Sequence, residues 1–178
     1  MKFQNFREKY PNFIYEKYSY KISGRPRTRA STVRGRNLEI FFDFVIKPDI
    51  KFRPKVVIEN VSPAIVERVG DRVLNNLVFH LGLMEIPSYW KATCSPIIEI
   101  RAGSLNREQI DWWKDSIFKG MGQFFYENKI DFRKPNFLKI KISSILMNQA
   151  IAEFVRMLSK KVLVPVGGGK DSVVTLEL

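Results

Sequence analysis

Near its C-terminal end the chain reads KVLVPVGGGKDSVVTLEL, and Gly167, Gly168, Gly169, Lys170, Asp171 and Ser172 are the residues best suited to hold a phosphate. Three residues without a Cβ let the backbone turn sharply and approach a ligand closely. Asp171 or Ser172 can cap a following helix, whose unpaired N–H groups and positive dipole end favour an anion. A Walker A loop needs a glycine five residues before its Gly-Lys pair and Ser or Thr directly after it, but Val164 and Asp171 stand there. The dinucleotide fingerprint G-x-G-x-x-G would end on Ser172, where its third glycine is missing. The apolar run Lys161–Val166 supplies a buried parallel strand ahead of the loop. Strand, glycine turn and helix start are the opening of a nucleotide domain, so the chain is expected to be the front part of a larger enzyme. The competing reading is a plain glycine-rich turn.

A second group lies in Phe79–Pro96, where His80, Glu85, Tyr89, Trp90, Lys91 and Cys94 crowd into sequence that reads as a loop. Such residues are costlier to bury than to keep on a working surface. The elements that would hold these groups follow from periodicity. Asn37–Lys47 is apolar and β-rich, ended by Pro48, and Lys55–Glu59 pairs with it in a hairpin-like arrangement. Ser62-Pro63 starts a helix whose apolar face runs from Ile65 to Leu81 and which Gly82 stops. Ile97–Ile100 is a short strand. Asn106 and Gln109 make a capping box for a helix with Ile110, Trp113, Ile117, Met121 and Phe124 on one face. Trp112, Trp113, Phe124 and Phe125 read as packing. A third helix spans about Ile145–Leu158. The fold class is α/β: an α+β N-terminal domain over residues 1–135, then the first strand-loop-helix of an incomplete parallel-sheet nucleotide domain over residues 136–178.

Composition sets the outer bounds. The 178 residues are 45% hydrophobic and 13% aromatic, enough for a core and too apolar for a disordered chain. No apolar stretch approaches the roughly 18 residues that span a bilayer, and the N-terminus lacks the apolar centre of a secretory signal. One cysteine, Cys94, excludes an internal disulfide framework and suits a reducing compartment. The cytoplasm is the expected location, without a membrane partner. The formal charge is +12, and Lys21, Arg25, Arg27, Arg29, Arg34 and Arg36 follow one another without an intervening acid. That run suits an anionic small substrate, a nucleic acid or simply a solvated surface.

The Gly167–Ser172 loop resembles the Ser-Gly-Gly-x-Asp-Ser signature of the pyrophosphate-loop (PP-loop) ATPases at all but its first residue. Together with Phe79–Pro96 and Ile100–Phe132, in that order, it makes the chain from Asn37 to Leu178 similar to the UDP-N-acetylmuramoyl-L-alanyl-L-glutamate epimerase family. The resemblance implies an enzyme that inverts the terminal L-glutamate of a UDP-muramoyl dipeptide, a peptidoglycan precursor, with ATP and magnesium. It carries the phosphate loop onto Gly167, Gly168, Gly169, Lys170, Asp171 and Ser172; within it the glycines and Ser172 are expected to hold phosphate oxygens, Lys170 to offset charge and Asp171 to help place magnesium. Adenylation would remove one carboxylate charge and so acidify the neighbouring Cα–H for a general base. Cys94 is the natural candidate for that base, with Lys91 able to lower its pKa, and His80 is a further candidate. The ordinary alternatives are a buried small hydrophobe for Cys94, a core or capping histidine for His80 and a solvated Lys91.

Two other functions fit parts of the sequence. A PP-loop enzyme adenylating a tRNA base would use the basic charge but leaves Tyr89–Cys94 unexplained, which makes nucleic acid the less favoured partner. A non-catalytic fragment acting only in substrate binding is the other, and the isolated chain is expected to show negligible ATP turnover. The oligomeric state stays open.

Overall fold

Alternation along one segment organises the sheet. In Arg36–Ile46 (β2), Leu38, Ile40, Phe42, Phe44 and Ile46 are buried and the residues between them are only partly so, the period-two pattern of a strand with one wet face. The computed structural model describes residues 2–24, 36–143 and 174. The strand, loop and helices read over residues 144–173, including Gly167–Ser172, lie outside the described residues, as does most of the Arg-rich run.

Asn12–Ser23 (β1) runs antiparallel to β2 from Phe13↔Ile46 to Ser23↔Asn37, with a register shift between Tyr15 and Lys17. That shift matters chemically. Phe13 and Tyr15 share one parity, whereas Tyr18, Tyr20 and Ile22 share the other, so a regular strand would turn Lys17, Ser19 and Lys21 toward the core. The extra residue, Glu16, resets the phase and keeps the aromatic rings on the inner face. Ile50–Phe52 (β3) and Lys55–Val61 (β4) both pair antiparallel with the far edge of β2. Ile97–Ile100 (β5) lies parallel to β1, and Lys139–Ile142 (β6) lies parallel to β5. The order is β3-β2-β1-β5-β6, with β4 also on β2. β6 falls after residue 136 yet belongs to this sheet, and the described residues through Ser143 sit within one compact unit, Met1–Asn148.

Helices cover the apolar face. Lys2–Lys9 (α1) precedes the sheet, Pro63–Val69 (α2) and Asp71–Trp90 (α3) follow β4, and Arg107–Gly120 (α4) and Gly122–Glu127 (α5) join β5 to β6, as parallel neighbours require a crossover. The architecture is therefore α+β with a mixed sheet.

The Ser62-Pro63 start holds, but the single helix expected from there to Gly82 is two. The chain breaks at Gly70, whose φ of 76° suits glycine, and α3 then continues through Gly82 to Trp90 with Pro87 inside it. Much of the supposed loop at 79–96 is thus helix. Gly82 is an interior contact: a Cβ there would lie 2.1 Å from Tyr15 Oη and 2.9 Å from Phe42 Cδ1. The capping box forms as read, with Gln109 N–H donating to Asn106 Oδ1 at 2.8 Å and Asn106 N–H to Gln109 Oε1 at 3.0 Å. The apolar face from Ile110 to Phe124 is divided between α4 and α5 at Met121. Among the described residues no helix is long and apolar enough to cross a membrane.

Candidate functional site

The capping box fixes where α4 begins, and so places Glu108, Gln109, Trp112 and Trp113 on the side facing α3, where His80 and Met84 stand one turn apart. These six residues line a cavity of about 460 Å³, within the size range of small-molecule sites. Its walls are aromatic: His80 stacks on Trp113 with 18° between the rings, and Trp112 meets Trp113 edge-on at 88°. Trp112 is 60% and Met84 66% exposed, an unusual position for groups that gain about 1.5–3 kcal/mol or more by burial. Burial holds the His80 imidazole below its ordinary pKa, and Glu108 is the one carboxyl side chain of the lining.

Cys94 is placed quite differently. It is fully buried, in a tight bend with φ of 49°, and its Sγ lies 3.8 Å from the Lys91 carbonyl. The bend is tied down on all sides. Trp90 Nε1–H donates to Ser95 O at 2.8 Å, Thr93 and Ser95 hydroxyls share a 2.9 Å bond, and Cys94 N–H returns to Trp90 O at 2.8 Å. The Arg7 guanidinium donates to the carbonyls of Cys94 and Phe137 and lies 4.0 Å above the Phe137 ring. Burial pushes the thiol up to about 12, and the nearby Arg7 charge only partly opposes this. The thiol is therefore neutral and closed to solvent, the reverse of what proton abstraction asks. Lys91 is exposed at the C-terminal end of α3. His80 and Trp90 stand about 15 Å apart along the helix axis, so His80 does not meet Lys91 and Cys94 in one place.

This burial has a measurable sign. An unfolded chain loses the Cys94 proton near the ordinary value of 9.0, whereas the folded chain keeps it until about 12. Stability from this group is complete below pH 9 and falls as pH rises through that window. Between pH 8 and 10 the native chain is expected to lose about 1.4 kcal/mol more than Cys94→Ala in urea denaturation. Equal losses would contradict the placement.

The face of the sheet that the described helices leave open is charged. Asp43 pairs with Lys17 at 3.8 Å and Arg53 at 3.3 Å, and Glu39 with Lys21 at 3.4 Å and Lys55 at 3.5 Å. Arg101 joins Glu99 at 2.7 Å and Glu16 at 3.2 Å, and its hydrogen bond holds the Glu99 carboxyl below the usual range. A shallow depression here, of about 550 Å³, includes Lys47, Lys51, Arg53 and Arg101 against Glu16 and Asp43. Cations exceed acids, which suits an anionic partner.

Both tryptophans read as packing in the sequence, and the structure instead sets them on the cavity wall. Neighbouring residues on a helix lie about 100° apart, so Trp112-Trp113 cannot both face one core, and that was the available signal. The described residues form an α+β domain whose aromatic cavity and charged sheet face suit ligand recognition, with Cys94 buried away from both. A family model described as the MurL N-terminal domain matches residues 27–178, and the chain belongs to that family, which ties it to the MurL epimerase of peptidoglycan-precursor synthesis. No curated protein and no solved structure matches the chain.

Proposed function

We propose that this chain is the N-terminal, substrate-side part of a cytoplasmic ATP-dependent isomerase. The full enzyme inverts the terminal L-glutamate of UDP-N-acetylmuramoyl-L-alanyl-L-glutamate. The observation that carries the reading is the family match over residues 27–178, which takes in both the described domain and the Gly167–Ser172 sequence. The basic excess on the open sheet face supports a substrate bearing phosphates and carboxylates.

The chemistry follows from charge. Deprotonating the Cα beside an ionised carboxylate would set two negative charges on adjacent atoms. With ATP as co-substrate, a carboxylate oxygen attacks the α-phosphate and pyrophosphate leaves; the adenylate has lost one charge, and its carbonyl is an electron sink. A base then takes the Cα proton and an acid returns one to the opposite face. Water finally hydrolyses the adenylate to the free carboxylate and AMP. Gly167, Gly168, Gly169 and Ser172 hold phosphate oxygens in this reading, Lys170 offsets their charge and Asp171 helps place magnesium. Inversion asks for proton-handling groups on both faces, and a neutral buried thiol supplies neither.

The test uses the reading frame extended past Leu178, incubated with the UDP-muramoyl dipeptide, ATP and magnesium in deuterated water. The expected result is deuterium at the glutamate Cα together with AMP. Unlabelled substrate, or AMP formed only when tRNA is added, would sink the proposal.

A further inference from the structure

The geometry points to the α3–α4 cavity as a binding site for a planar nucleobase, and among nucleobases for a uracil ring. The inference rests on the reading above, in which the substrate is a uridine nucleotide, and adds to it the place where the ring sits.

The cavity selects by charge first. Its walls are the aromatic surfaces of His80, Trp112 and Trp113 and the thioether of Met84, and ring faces carry the negative lobe of the quadrupole. Glu108 adds a carboxylate. A phosphate or a substrate carboxylate is repelled here, so an occupant drawn from a polyanionic substrate must be one of its neutral parts. Shape selects next. Perpendicular indoles 4.9 Å apart form a corner, which offers one flat wall for stacking and one edge for contact. Trp112, at 60% exposure, still has most of its surface to bury.

Hydrogen bonding separates the remaining candidates. An imide edge presents acceptor, donor and acceptor in a row. The lining answers with complementary types: the Glu108 carboxylate accepts, while the Gln109 amide and the His80 ring N–H donate. Gln109 is held ready for this. Its Oε1 is already taken by the Asn106 N–H at 3.0 Å, which leaves its Nε2 hydrogens as the free donors. A hexose would also stack on tryptophan, but it has no fixed acceptor-donor-acceptor edge to match this set. Adenine presents donor and acceptor where uracil presents acceptor and donor, and it would set its N1 lone pair against Glu108.

The experiment titrates the 178-residue chain with uridine, 3-methyluridine, adenosine and N-acetylglucosamine, all uncharged, and reads tryptophan fluorescence. The buried Trp90 provides a constant background. Saturable quenching by uridine is expected. Affinity should fall at least tenfold with 3-methyluridine, which lacks the donor, and at least tenfold in Trp112→Ala, while Trp112→Phe retains most of it. Trp112 is exposed, so its variants fold, and circular dichroism checks this. Equal binding of uridine and 3-methyluridine, a preference for adenosine or N-acetylglucosamine, or no saturable response would each overturn the assignment. Deuterium incorporation by the full-length enzyme without uridine binding here would sink the cavity assignment alone. Uridine binding without incorporation would leave the cavity and remove the reaction.

Discussion

Gly82→Ala is expected to destabilise the fold by about 3 kcal/mol, the upper end of what overpacking a core costs. Two effects compete at this position. Alanine is the better helix former by about 1 kcal/mol, and a mid-helix glycine looks like an easy site for improvement. The new Cβ, however, would stand 2.1 Å from Tyr15 Oη, 2.4 Å from Tyr15 Cζ and 2.9 Å from Phe42 Cδ1. Tyr15 cannot swing away, because its ring is stacked on Phe79 at 8° and set edge-on against Phe44. The clash therefore wins. Tyr15 Oη has no hydrogen-bond partner among the described residues, so Tyr15→Phe alone should be neutral or stabilising by about 1 kcal/mol. In the double variant, Tyr15→Phe takes away the nearest atom, the hydroxyl oxygen, but leaves the ring carbon beneath it, and the rescue is partial. Urea denaturation of the four proteins gives the coupling directly. A Gly82→Ala chain as stable as the original would mean that α3 does not press on β1 as described.

That residue also shows where the sequence misleads. Glycine after an apolar helical face reads as a stop, and only the far side of the contact, supplied by β1, says otherwise. Strand β1 itself was hidden because its inward set changes parity at Glu16: a search for unbroken alternation finds two short fragments instead of Asn12–Ser23. Signals complete within a few residues survived intact. Asn37 to Lys47 is a dense apolar, β-rich run closed by Pro48, and Asn106 and Gln109 satisfy each other locally, so β2 and the start of α4 were legible. Pro87 is the opposite case, since local rules place a helix end near it. Ile86 and Trp90, both buried, hold the last turn in place. The candidate site divides the same way. Adjacent tryptophans announce that one must leave the core, whereas the protonation state of Cys94 is set by its burial, partly opposed by Arg7, far away in sequence.

Trp90→Ala should be at least as costly, about 3–5 kcal/mol, the range for removing a large buried aromatic side chain. The indole is fully buried and meets Phe125 and Phe137 edge-on, each at 6.3 Å. Its N–H is the bond that holds Ser95 O at 2.8 Å. Trp90→Phe separates the two contributions. It keeps part of the aromatic packing but leaves the Ser95 carbonyl without that donor, and should cost less, about 1–3 kcal/mol for the orphaned group. A local readout distinguishes a loosened bend from a globally weakened chain. Cys94 sits between Trp90 and Ser95, and in the native protein its thiol should react with an aromatic disulfide reagent only as fast as the whole chain opens. In Trp90→Phe the reaction should accelerate more than the measured loss of stability accounts for, because Ser95 is released locally while the sheet stays formed. Acceleration matching the stability loss would instead mean that the bend opens only with the entire domain. Reactivity as high in the original chain as in the variant would show that Cys94 was never enclosed, and would return the thiol to the set of residues able to handle a proton.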